Sequence, residues 1–187
     1  MPLILLFGNG HRDRRITKAV LRKLRFREEL YEPQIPAPGS LRAVVEQASL
    51  LLDKSEALEH TMLIVVDREH IACEEALTKL FREYFSLLKM EQLCEGYSWR
   101  LECRRGPRHT IIYVVAMGLS RRKCIEENLA KLIELTYGES IEADKRSLRE
   151  WLRRRELSDM ELVEKAPIKA VREAFKSLAC VLDELNI

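Results

Sequence analysis

The sequence predicts an α/β fold: a mostly parallel central sheet with helices on both faces, a β-hairpin and a helical C-terminal extension. Three observations carry this expectation. Leu3–Phe7 and Met62–Val66 are short apolar runs without polar alternation, as expected of parallel strands covered on both sides. Helical stripes separate such runs in the N-terminal half, the βαβ rhythm of a parallel layer. Beyond Gly138 the apolar residues recur only at helical spacing.

Each element follows in order. The first strand stops at Gly8-Asn9-Gly10, and a helix over Arg14–Arg25 buries Ile16, Ala19, Val20 and Leu24. Glu32–Gly39 holds three prolines and reads as a loop. Ser40 then caps a helix with the stripe Leu41, Val44, Val45, Ala48, Leu51 and Leu52. The second strand runs out at Asp67-Arg68-Glu69. A third helix carries Ala72, Ala76, Leu77, Leu80, Phe81, Tyr84 and Leu88 on one side. Tyr97–Cys103 and Thr110–Met117 read as a hairpin around Arg104-Arg105-Gly106-Pro107-Arg108. Ser120 caps a helix through Leu135 that Gly138 closes. A short basic helix covers Leu148–Arg155, and Pro167 opens a single final helix with the stripe Ile168, Val171, Phe175, Leu178, Val181, Leu182 and Leu185. The division expected is residues 1–138 as the α/β domain and 139–187 as a helical extension on the same core.

Composition bounds the function. The chain has 187 residues, 47% hydrophobic and 33% charged, enough to bury a core and unlike a disordered tail. No apolar run approaches ~18 residues, so no membrane span is expected. MPLILLFGNG lacks a basic region and reads as a first strand rather than a signal peptide, which makes a cytoplasmic protein the expectation. Basic and acidic residues nearly balance, at 32 and 30. Arg is twice as common as Lys and amides are few, the charge-rich composition of heat-adapted proteins. The five cysteines (73, 94, 103, 124 and 180) show no C-x-x-C spacing, so buried thiols are expected rather than a zinc ribbon or a disulfide framework.

Ligands of open α/β sheets bind outside the carboxyl ends of the strands. Two segments fall there. Asp67 and Glu69 lie two apart, so an extended chain points both carboxylates to one side. Their repulsion is relieved by a cation such as Mg²⁺, which takes one or two carboxylates and keeps waters for phosphates. Alternatively, Asp67 caps the next helix and Glu69 faces water. Gly8–Asp13 is the other segment, where glycines allow close approach and a helix start near Asp13 offers N–H groups. Its simpler reading is a strand-to-helix turn with Asp13 as cap. It is neither a dinucleotide fingerprint nor a Walker A loop. His11 and His70 fall at the same two strand ends and could meet as a metal- or phosphate-binding pair, or be solvated loop histidines. His60 and His109 have no evident partner.

Together, Asn9-Gly10-His11-Arg12-Asp13 and Asp67-Arg68-Glu69 resemble the topoisomerase–primase (TOPRIM) domain. That family has Glu-Gly after its first strand, often continuing to an Asp, and D-x-D after a later one. Ile141-Glu142-Ala143-Asp144 and Lys165-Ala166-Pro167 are similar to later segments of small TOPRIM-like proteins. The resemblance implies a TOPRIM-like domain over 1–138 and a metal-dependent, nuclease-like action on nucleic acid. Asp67, Glu69 and Asn9 would hold Mg²⁺ or Mn²⁺, and Asp13, Asp67 and Glu69 would form the catalytic set. Asn9 departs from the family's Glu: an amide can coordinate a metal but cannot exchange a proton near neutrality. The alternative is therefore a catalytically inactive nucleic-acid-binding module with a degenerate site. A third possibility is a structural protein whose terminal helix forms a homo-oligomer.

Basic residues cluster at 12–27, 100–108, 121–123 and 145–155. Arg forks fit phosphate, so Arg12, Arg14, Arg15, Lys18 and Arg22, beside the strand ends, are the expected nucleic-acid contacts. The competing reading pairs these charges with the many Glu. Tyr97 and Trp99 would stack on bases or, in the case of Trp99, fill the core.

Overall fold

Six strands form one mixed sheet: β1 (Leu3–Phe7), β2 (Leu30–Tyr31), β3 (Glu59–Asp67), β4 (Ser86–Cys94), β5 (Ser98–Arg105) and β6 (Arg108–Met117). Their spatial order is β2-β1-β3-β6-β5-β4. Pairings among β2, β1, β3 and β6 are parallel, and β5 and β4 add antiparallel. The computed structural model describes residues 3–26, 29–33, 39–94, 97–119 and 124–185. The helices are α1 (His11–Lys23), α2 (Leu41–Lys54), α3 (Glu74–Tyr84), α4 (Ile125–Tyr137), α5 (Lys145–Arg154), α6 (Asp159–Lys165), α7 (Ile168–Ala174) and α8 (Lys176–Leu185).

Strand periodicity sorts the core into two layers. Leu5, Phe7, Leu63, Val65, Val115 and Met117 point to the face covered by α1 and α4–α8. Leu6, Met62, Ile64, Val66, Val114 and Ala116 point to the face covered by α2 and α3. Both faces of the central strands are therefore dry, which is why β1 and β3 read as unbroken apolar runs. Residues beyond 138 join the first layer: Leu148, Trp151, Leu162 and Phe175 share a cluster with Ile16 of α1 and Leu129 of α4.

Several boundaries differ from the sequence reading. The chain read as a helix through Leu88 leaves the helical conformation at Phe85 (φ −137°, ψ 154°) and becomes β4. Leu80, Tyr84 and Leu88 fit a helical stripe, but pairing with β5 satisfies the backbone of this segment instead, and Leu88 is 51% exposed. The hairpin turn is only Gly106-Pro107, with Gly106 at φ +57°, so Arg104, Arg105 and Arg108 lie within strands. The helix α6 was not foreseen. A capping box, Ser158 with Glu161, starts it. The expected single terminal helix breaks at Phe175 (φ −114°, ψ 44°). There the Asn128 amide donates to the Ala174 carbonyl at 2.8 Å, and the Ser177 hydroxyl donates to the Ala116 carbonyl at 3.1 Å. Sheet and α4 thus supply partners at the break. Cys94 of β4 and Cys180 of α8 form a disulfide, with Cα atoms 6.5 Å apart, against the expectation of free thiols throughout. The chain fold joins residues 86 apart, a separation at which spacing carries no signal.

Candidate functional site

The carboxyl ends of β1 and β3 adjoin, because Phe7 pairs with Val65 and the Gly8 N–H donates to the Val65 carbonyl at 2.9 Å. Gly8 makes this approach possible. A Cβ there would lie 2.5 Å from Cγ1 of buried Val66. Gly10 then caps α1, so the helix begins at His11, earlier than expected, and Asp13 sits in its first turn rather than at the cap.

Asp13 and Asp67 converge here, and α4 adds Glu126, only 5% exposed. The Asp67 carboxylate accepts the Ile125 N–H at 3.1 Å, supplying the cap that Cys124 does not. Burial first, then the negative charges of Asp13, Glu126 and Glu69, push the Asp67 carboxyl up to about 7 against the Ile125 bond. Burial also raises Asp13, opposed by a hydrogen bond with Asn9 and by the charges of Arg12 and Lys145. The Cys124 thiol beside them is pushed up to about 12 by burial and Glu126. Arg12 links this centre to α6: its guanidinium donates to Glu126 at 2.6 Å and, as a fork, to Asp159 at 2.8 and 2.9 Å.

Glu69 takes a different place from that expected. The chain is extended only to Asp67. Arg68–His70 forms a 3₁₀ turn closed by the Ile71 N–H on the Arg68 carbonyl, so the period-two argument fails and Glu69 is exposed. Its charge still acts on Asp67. Arg68 donates to the Leu119 carbonyl and lies over the Tyr97 ring, 4.2 Å from its centroid. No contact joins His11 to His70 among the described residues. His11 lines a cleft shared with α5 and α6, while His70 lines a different one with Ser40 and Leu77. His60 meets the Ala57 carbonyl and His109 meets Glu102. Trp99 is 3% exposed and belongs to the core.

No family model, curated protein or solved structure matches this chain. Site chemistry therefore rests on the residues themselves. Among the described residues no three His, Cys, Asp or Glu side chains are arranged to hold one metal ion. A donor set of two carboxylates and the Asn9 amide is compatible only with an ion that keeps much of its water, as Mg²⁺ does.

The basic residues divide into paired and unpaired. Arg14 and Lys18 both pair with Glu32, and Arg22 meets Glu164 at 3.5 Å. Arg105 forks onto Asp53, Arg100 meets Glu91, and Arg155 pairs with Glu139. Arg15 is exposed and forms no ion pair among the described residues. Ser120, Arg121, Arg122, Lys123 and Arg27 lie outside the described residues. Glu126 was missed from sequence because it reads as one of many helix-surface glutamates; its position three residues from buried Leu129 was the available signal. Among the described residues no helix is long and apolar enough to cross a membrane.

Proposed function

We propose that this protein is a metal-dependent, phosphodiester-acting, nuclease-like protein with a TOPRIM-like site of low activity on nucleic acid. The observation that carries the reading is the convergence of Asp13 and Asp67 beside buried Glu126 at the carboxyl ends of adjacent parallel strands. Among the described residues, the cation in direct contact with these three carboxylates is Arg12, which is bound to Glu126 and Asp159, while Lys145 acts on Asp13 by charge alone. Asp13 and Asp67 are left to hold a divalent ion, with Asn9 as a neutral donor. A bound Mg²⁺ or Mn²⁺ would supply charge neutralisation at phosphate oxygens. Glu69, exposed at the rim, would add long-range negative charge. Asn9 removes the proton-exchanging group expected at the end of the first strand, hence the low activity.

The Arg12–Glu126 contact also favours the binding module without catalysis. Arg12 already supplies Glu126 with a cation, so part of the carboxylate charge needs no metal. Incubation of labelled oligonucleotides with Mn²⁺ separates the two. The nuclease reading expects slow cleavage that disappears in Asp67→Ala and increases in Asn9→Glu. Binding without cleavage by every variant supports the module, and neither binding nor cleavage overturns both.

A further inference from the structure

A cleft of about 420 Å³ lies between the start of α1, the outer face of α5 and the start of α6. Arg15, Arg149 and Arg153 line it, and all three are exposed without a carboxylate partner among the described residues. His11 and Arg12 complete the basic wall, with Asp159 the one carboxylate, already bound by Arg12. The rest of the lining is Ser158 and an apolar floor of half-buried Leu157 and Met160, backed by buried Ile16 and Leu152. Outside the cleft, Arg14, Lys18, Arg22 and Arg105 are neutralised by glutamate or aspartate, whereas Arg154 and Lys169 are exposed and, among the described residues, form no ion pair but do not line the cleft.

We propose that this cleft binds the backbone of single-stranded nucleic acid, with Arg15, Arg149 and Arg153 on its phosphates, and leads the strand toward the Asp13/Asp67 carboxylates. The inference rests on the nucleic-acid reading above and adds where the polymer lies. Unpaired guanidinium forks match phosphate oxygens better than they match a diffuse counterion cloud. An apolar floor beside cations suits an unstacked base, which single strands offer and duplexes do not. Continuity is supplied by Arg12, whose guanidinium touches Asp159 at the cleft and Glu126 at the carboxylates.

Fluorescence anisotropy of a labelled single-stranded oligonucleotide, in EDTA so that cleavage plays no part, tests this on the full chain. Arg149→Ala/Arg153→Ala should weaken binding roughly tenfold at low salt and reduce the slope of log affinity against log salt by about one. Arg15→Ala should act in the same direction. The charge-matched control Arg154→Ala/Lys169→Ala, on exposed residues outside the cleft, should change affinity less than about twofold. Unlabelled duplex and polyglutamate should compete more weakly than unlabelled single strand. Circular dichroism guards against misfolding of these surface variants. Equal affinity and slope in the cleft variant and wild type, equal losses in the control, equal competition by polyglutamate, or no binding by wild type would each overturn the inference. Binding that depends on the cleft without any Mn²⁺-dependent cleavage leaves the cleft assignment standing and removes only the nuclease reading.

Discussion

Asp67, the last residue of β3, caps a helix 58 residues away by accepting the Ile125 N–H. The bond ties the end of the central strand to α4 and sets Asp67 beside Asp13 and Glu126. A carboxylate held between helix N–H groups and other carboxylates serves two purposes that conflict, capping and charge storage, and the predictions below exploit that conflict.

The first prediction concerns pH. The Asp67 carboxyl is raised to about 7 in the folded chain, mainly by burial, against about 4 when unfolded. The folded state therefore holds the proton more tightly, and its contribution to stability is present below the unfolded value and lost as pH rises through about 7. Asp67→Asn keeps the acceptor for Ile125 and removes the charge. It should raise Tm at about pH 8 by about 2–4 °C and flatten the pH dependence between about 5 and 8. A Tm profile parallel to that of wild type contradicts this.

Arg12 compensates buried Glu126 and ties α1 to α6. Its removal as Arg12→Ala leaves that carboxylate unpaired and should cost about 3 kcal/mol in urea unfolding. Adding Glu126→Gln should recover part of the loss, because a neutral amide needs no counter-charge. A double mutant no more stable than the single one would place the effect elsewhere.

Gly8 and Gly10 differ in what they permit. Gly8→Ala drives a methyl against Val66 and should destabilise by about 1–3 kcal/mol, while Gly10→Ala meets nothing within 4 Å and should be close to neutral. Chemical denaturation of the two variants in parallel measures the difference. Equal stabilities would mean that β1 and β3 are less closely apposed at this end.

The disulfide closes a long loop, so reduction should lower stability by about 4 kcal/mol. Thiol titration of the unfolded, unreduced chain should find Cys73, Cys103 and Cys124 only. In the folded chain, Cys103 and Cys124 should react slowly, their thiols pushed up to about 12 by burial. Five reactive thiols without reductant would contradict the bridge.

Residues whose role is local were legible from the sequence. Phe7 and Val66 sit in unbroken apolar runs, Ser40 caps α2 through the Ala43 N–H, and Gly138 ends α4 at φ +70°, each following from its own neighbours. Roles set by distant partners were not legible. Leu88 kept the helical period of α3 while the hydrogen bonds of its segment went to β5. The break at Phe175 depends on Asn128, and Cys94 reaches Cys180 only through the fold. At the site, Asp13 and Asp67 are legible because they fall in the two segments at the carboxyl ends of apolar runs, whereas the exposure of Glu69 comes from a three-residue turn that spacing alone does not reveal. Glu126 belongs to the site only because Asp67 caps its helix.

The central claim is that Asp13 and Asp67 hold a divalent ion, and Mn²⁺ titration followed by electron paramagnetic resonance tests it most directly. At about pH 8, where Asp67 is largely ionised, wild type should remove Mn²⁺ from the free signal with a single saturating site. Asp67→Asn, which preserves the Ile125 cap, should lose that site, and Asp13→Asn should weaken it. Glu161→Gln, a change on α6 away from the strand ends, should leave it intact. Equal Mn²⁺ uptake by wild type and both aspartate variants, or no saturable uptake by wild type, would contradict the account.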